Sequence, residues 1–258
     1  MSDPTKRIRP IVAGVSCTHY KSSRCTLGWF FKVPKKQFIV GRSIDGKIEA
    51  VPIVYYEILI AGCNHCIGLE NKAKKGDPIL QPSPYDGGRV EEDTVGYFEF
   101  GVETKYESFS CPVRNSLLKI AKRLNLREDR PTNYVDVAFF KPKDKKIYSI
   151  EVFTGVKLRR KGDHKVGKKV KKYGATTGLT EGVIEDDHFC GYVQGRRGRI
   201  WYEDGGLVRG FARGGDSGSP VYDDDGSFYG LLFAGSETHY VYSKVENIEK
   251  IARVEVCF

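Results

Sequence analysis

The stretch "RGGDSGSPVY", residues 213–222, decides how this chain is read. It sets Ser217 after Gly214, Gly215 and Asp216 and before Gly218, directly ahead of an apolar run with the character of a β-strand. A tight glycine turn between two strands accounts for such a string as readily as a nucleophile does. A serine hydroxyl attacks a carbonyl only when a neighbouring base takes its proton. That base works best when a buried carboxylate fixes its tautomer and orientation. The reading therefore turns on a histidine and an acid elsewhere in the chain, and on their order.

The order serine, acid, histidine leaves only His239 after Ser217, and Ser219 breaks the G-x-S-x-G elbow that accompanies that order. The order histidine, aspartate, serine works. Asp136 lies in "NYVDVAFF" (133–140), an apolar strand in which an unpaired charge is costly unless something donates hydrogen bonds to it. His65 lies in "EILIAGCNHCIG" (57–68), at the end of an apolar strand and beside small residues that would present an imidazole rather than bury it. His19 is its competitor, whereas His164 and His188 stand in charged loops after Asp136. Plainer readings stand beside these: Ser217 as a turn serine, Asp136 as a structural strand acid, and His65 as a zinc ligand in "CNHC" (63–66). A closed zinc site needs further ligands at matching spacing, and the chain has no second C-x-x-C.

The remainder of the chain supports an all-β fold. Its 258 residues are 40% hydrophobic and 12% aromatic, enough for one large domain or two smaller ones with substantial cores. Short apolar runs such as "QFIVG" (37–41), "YYEILIAG" (55–62), "FYGLLFAG" (228–235) and "YVYSKV" (240–245) are mostly bounded by turn residues, and "DDDGS" (223–227) reads as a hairpin turn. Helical spacing is confined to 112–129 and 245–253, and the stretch 71–94, rich in proline, glycine and charge, predicts a long irregular loop. No apolar segment follows the basic start, and no window of about 18 apolar residues exists, so neither a signal peptide nor a membrane span is read and a cytoplasmic protein is expected. The net charge of +9 concentrates in "KLRRKGDHKVGKKVKK" (157–172), which predicts a dispersed, solvated lysine face. Nucleic-acid binding through it is the alternative, unsupported by any helix-turn-helix, zinc-finger or RNP signature. One methionine and few amides beside 29% charged residues hint at a thermophilic source.

The boxes found so far form a set. "NHC" (64–66), "DVA" (136–138) and "GDSGSP" (215–220), with "GLLFAGS" (230–236) and "GATTGLTEG" (174–182), resemble the chymotrypsin-like (trypsin-like) serine protease superfamily, most closely its prokaryotic intracellular-type members. The three boxes stand in order, His65, Asp136 and Ser217 lying 71 and then 81 positions apart. The resemblance implies a double six-stranded antiparallel β-barrel with an inserted helix and a short C-terminal helix. Residues 8–150 would carry His65 and Asp136, and 151–258 would carry Ser217. It implies His65 as general base, Asp136 as its orienting carboxylate, Ser217 as nucleophile and the N–H groups of Gly215 and Ser217 as the oxyanion hole. Phe211, Phe233 and Gly235 would shape the substrate pocket, Phe211 disfavouring Lys or Arg there, and Cys25 would bridge to Cys66. No metal or cofactor is implied, the substrate is a peptide or protein, and a catalytically silent protease-fold binding protein is the alternative. Asp216 needs a partner, for which the neighbouring Arg213 is the candidate.

Overall fold

The computed structural model describes residues 3–42, 48–107 and 130–258. The helix expected over 112–129 lies outside them. Runs of aromatic and β-branched residues form the strands because such side chains pack well on a pleated, half-buried surface. In the second half, Ser227–Gly235, Pro220–Tyr222, Lys169–Gly174, Gly178–Gly195, Gly198–Gly210 and His239–Lys244 pair in that order, and the last pairs back onto the first. The result is a closed barrel of six antiparallel strands. Arg160–Lys161 and Thr132–Asn133 add to its outside in parallel.

The first half is a curled antiparallel sheet in the order Glu255–Val256, Phe30–Arg42, Ile48–Gly62, Ala138–Pro142, Thr94–Gly101, Pro78–Leu80, Thr18–His19. Its two longest strands form a hairpin whose base is buried at Phe30, Phe31, Leu59 and Ile60, while its outer part exposes Phe38 and Val51. The loop expected at 71–94 contains more order than its composition suggested: the strand Pro78–Leu80, a 3₁₀ turn at Pro84–Asp86 and a short helix at Val90–Asp93. Asp86 explains part of this, because its carboxylate gathers Ser16, Ser83 and Arg24 and pins the segment to the sheet.

One core joins the halves, with Trp29 of the first against Phe228 of the second at 5.7 Å between ring centroids. A separate cluster of Val170, Ile184, Val208, Val221 and Leu232 fills the closed barrel. The helix Val245–Ala252 buries Val245 and Ile248, after which the chain returns to the first sheet, where the Trp29 indole N–H donates to the Cys257 carbonyl at 2.8 Å. Among the described residues, no helix is long and apolar enough to cross a membrane.

Candidate active site

Strand Ile48–Gly62 is followed by Cys63, and the four-residue helix Asn64–Ile67 turns His65 out of the sheet. Cys66, in the same turn, forms a disulfide with Cys25, with 6.2 Å between the Cα atoms. Asp136 arrives just before strand Ala138–Pro142, and its backbone N–H donates to the Ser243 hydroxyl of the second barrel at 3.0 Å. Its two oxygens hold one residue at two points. Oδ1 accepts the His65 backbone N–H at 3.1 Å, and Oδ2 meets His65 Nδ1 at 2.5 Å. A carboxylate only accepts, so Nδ1 carries the proton and Nε2 is left as the acceptor. The carboxylate is 5% exposed and the imidazole 32%, which leaves the ring one open edge. Burial opposes protonation of His65, but the charge and hydrogen bond of Asp136, followed by the charge of Glu70, outweigh it and raise the imidazole pKa above its ordinary value.

Ser217 sits in a turn between Gly215 (φ +99°) and Gly218 (φ +102°), a backbone region that side chains rarely adopt. A Cβ at Gly218 would also collide with the Thr26 carbonyl. Within the turn the N–H of Asp216 donates to Arg213 O (3.0 Å), that of Gly218 to Leu232 O (2.7 Å) and that of Ser219 to Asp216 O (2.9 Å). The N–H groups of Gly215 and Ser217 donate to no acceptor among the described residues, so two neighbouring donors remain available beside the hydroxyl. Ser217 Oγ is turned to the Phe233 carbonyl at 3.5 Å, and no hydrogen bond joins it to the imidazole in this geometry. Thr26 of the first half clamps the turn: its N–H donates to Ser217 O and its hydroxyl to Gly215 O, both at 2.8 Å.

Asp216 is fully buried, and its partner differs from the expectation. The Arg213 guanidinium pairs with Glu237 and lies over the Phe211 ring, and only the Arg213 backbone N–H reaches Asp216 (3.0 Å). The cation is Lys172, itself fully buried, with Nζ 3.2 Å from Asp216 Oδ2. Burial lowers the Lys172 pKa, and the Asp216 charge opposes that. The turn in "GATTGLTEG" completes the cage: Thr176 and Thr177 donate their N–H groups to Oδ1, at 3.1 and 3.0 Å, and the Thr177 hydroxyl donates to Oδ2 at 2.7 Å. Lys172 is thus a correction to the solvated reading of 157–172. A signal for it was present, since Val170 and Lys172 share one face of a strand whose side chains alternate.

A cavity of about 370 Å³ lies against His65 and Asp136. Phe233 and Gly235 line it together with Glu70, Arg196 and Tyr202, which the sequence reading did not single out. Phe211 does not line it, and its carbonyl accepts the Thr180 hydroxyl instead. The competitor His19 is buried and pairs with Asp77 at 3.1 Å. Side-chain donors of Cys63, His65 and Asp136, and of Cys25, His65 and Cys66, lie within 4.8 Å of one another. Neither set suits a metal. Cys25 and Cys66 are bridged, and burial pushes the Cys63 thiol well above its ordinary pKa while it donates to Leu232 O.

No protein-family model and no curated protein matches this sequence. Solved structures do match in shape. Nocardiopsis protease (NAPase) aligns with a TM-score of 0.56 at 15% identity, covering 96% of this chain and 99% of its own. A Cellulomonas bogoriensis chymotrypsin aligns with a TM-score of 0.56 at 16% identity over 96% and 98% of the two chains, and Thermobifida fusca protease A with 0.55 at 13% over 95% and 97%. With two barrel-like halves aligned along nearly their whole length, the chain has the chymotrypsin-like double β-barrel fold of serine proteases.

Proposed function

We propose that the protein is a serine endopeptidase that cleaves peptide bonds through an acyl-enzyme, with no cofactor, on a triad of His65, Asp136 and Ser217. The base would come from the barrel of residues 8–150 and the nucleophile from that of 151–258. In this mechanism Ser217 Oγ would turn from the Phe233 carbonyl to His65 Nε2, and hydrogen bonds of this kind are often long before substrate arrives. Nε2 takes the hydroxyl proton as Oγ attacks the substrate carbonyl. The developing oxyanion accepts the N–H groups of Gly215 and Ser217, each such donor being worth about 2.7–4 kcal/mol in the transition state. The imidazolium, stabilised by Asp136, gives its proton to the leaving amine. Water then releases the acyl group by the same steps in reverse.

The observation that carries this reading is the two-point grip of Asp136 on His65, in a fold shared with serine proteases. The basic segment lends it support, because Lys161, Lys165, Lys168 and Lys171 are drawn into ion pairs with Glu249, Asp163, Asp223 and Asp224 rather than left for a phosphate backbone. Hydrolysis of a p-nitrophenyl ester tests it. A burst of nitrophenol equal to the enzyme concentration, absent in His65→Ala, is expected, and hydrolysis without a burst at any ester concentration would contradict an accumulating acyl-enzyme. The silent binding protein is favoured by one observation, the Ser217 hydroxyl facing Phe233 O rather than the imidazole. A folded protein that hydrolyses no ester would establish it.

A further inference from the structure

Two carboxylates line the cavity beside the imidazole. Asp136 is engaged by His65, and Glu70 has no part in the proposed reaction. Glu70 is only 5% exposed. Its Oε1 accepts the Arg196 N–H at 3.1 Å, and no ammonium or guanidinium pairs with it among the described residues. The Tyr106 hydroxyl also lies against this carboxylate, so its compensation is neutral, from an amide and a phenol, and a buried anion is costly unless something cationic meets it.

The backbone is bent out of its usual range to place this group. Leu69, Glu70 and Asn71 have φ of +50°, +53° and +71°, three consecutive side-chain-bearing residues in the left-handed region. Asn71 holds the turn by donating to Thr104 O (2.8 Å) and accepting the Thr104 N–H (2.9 Å) and the Asn64 amide (2.7 Å). Strained backbone of this kind persists where the surroundings over-determine it, and it gathers at functional sites. Val193, Ile200, Tyr202 and Phe233 give the cavity apolar wall, beside the polar Gln194 and Arg196. Apolar wall together with a buried carboxylate in one cavity fits an amphipathic side chain, a long aliphatic stem with a cationic head. Arg196 also borders the cavity, but it is solvent-exposed and screened, whereas the Glu70 field acts from a buried position.

We propose that Glu70 selects substrates that carry a lysine or arginine side chain beside the imidazole, the stem lying on Val193, Ile200 and Phe233 and the cation meeting the Glu70 carboxylate. This differs from the pocket assigned to Phe211, and it rests on the protease reading only in taking the cleft as a peptide site.

Calorimetric titration of the Ser217→Ala protein with short peptides tests it without needing turnover. The peptides carry lysine, norleucine or glutamate at each position in turn. Lysine is expected to bind at least about tenfold more tightly than norleucine at one position, corresponding to about 1.4 kcal/mol. Adding Glu70→Gln should bring the two within about threefold, and adding Arg196→Gln, which keeps the main-chain hydrogen bond to Glu70, should enlarge the preference. The Arg196 variant decides the case should Glu70→Gln fail to fold. Norleucine equal to lysine at every position, glutamate as the best residue, a lysine preference lowered by Arg196→Gln, or no binding by any peptide would each overturn the proposal. Fluorophosphonate labelling of the unsubstituted protein separates the two readings. An unlabelled protein whose cleft still prefers lysine through Glu70 keeps this inference and loses the protease, and a labelled one indifferent to lysine does the reverse.

Discussion

In the first half of the molecule the backbone around His65, whose ring is held by Asp136, is braced by covalent and neutral bonds: the Cys25–Cys66 disulfide beside it, and the Asn64, Asn71 and Thr104 network beneath the turn that follows. In the second half the serine turn, clamped from outside by Thr26, is built around a buried ion pair, Asp216 with Lys172, completed by two threonines and the Arg213 amide. The two devices fail differently. When one neutral hydrogen bond is broken, relaxation and water offset part of the cost, whereas removing one member of a buried ion pair strands the other in a medium of low dielectric. The first half should therefore weaken gradually and the second abruptly.

The largest effect is expected where the halves meet. Asp136→Asn removes the carboxylate that fixes the His65 tautomer, and a loss of about 10⁴-fold in kcat is expected by analogy with such triads. The sign of the pH effect follows from the same hydrogen bond. His65 must be neutral to act as base, and Asp136 raises its pKa, so activity falls as pH drops through that raised value. In Asp136→Asn the acid limb of the residual activity should move to lower pH, which a kcat/KM profile reads directly. A limb that stays in place would mean that another group sets it.

Next in size is Lys172→Met. Leaving Asp216 buried without its cation should cost about 3–5 kcal/mol, read by denaturant unfolding. Arg213→Ala, which removes an exposed pair with Glu237 and a contact with the Phe211 ring, should leave the unfolding midpoint nearly unchanged. Equal costs for the two substitutions would erase the distinction drawn between a caged charge and a surface one. Smaller again is the Cys25→Ser/Cys66→Ser double variant. The bridge joins residues 41 positions apart, and its loss should cost about 2–4 kcal/mol. Hydrogen exchange should show the change around His65, with the closed barrel retaining its protection. Uniform loosening of both halves would sharpen the picture the other way, toward a single cooperative unit.

His65, Asp136 and Ser217 could be singled out as candidates because each sits in a short string whose meaning is local: a strand end, an acid in an apolar run, a serine between turn glycines, and the structure brings the first two together. The strands and the C-terminal helix were legible for the same reason, through alternation and helical spacing. Thr26, Glu70 and Lys172 were not picked out, because what gives them a role lies far along the chain. Thr26 reaches Gly215 across 189 residues, and the Glu70 carboxylate takes the Arg196 amide across 126. Lys172 was hidden by its neighbours, since a run of lysines reads as a solvated face even when strand alternation turns one of them inward. The pairing of Asp216 with Arg213 failed by proximity: the adjacent cation supplies an amide, and the strand beneath supplies the charge.

The central claim is that Ser217 is a nucleophile activated by His65. Reaction with an active-site fluorophosphonate, followed by peptide mapping in a mass spectrometer, tests it most directly. The account predicts a single adduct on the peptide containing Ser217, none in Ser217→Ala and strong suppression in His65→Ala. An adduct that survives in Ser217→Ala, or a folded protein that takes no label at all, would contradict it.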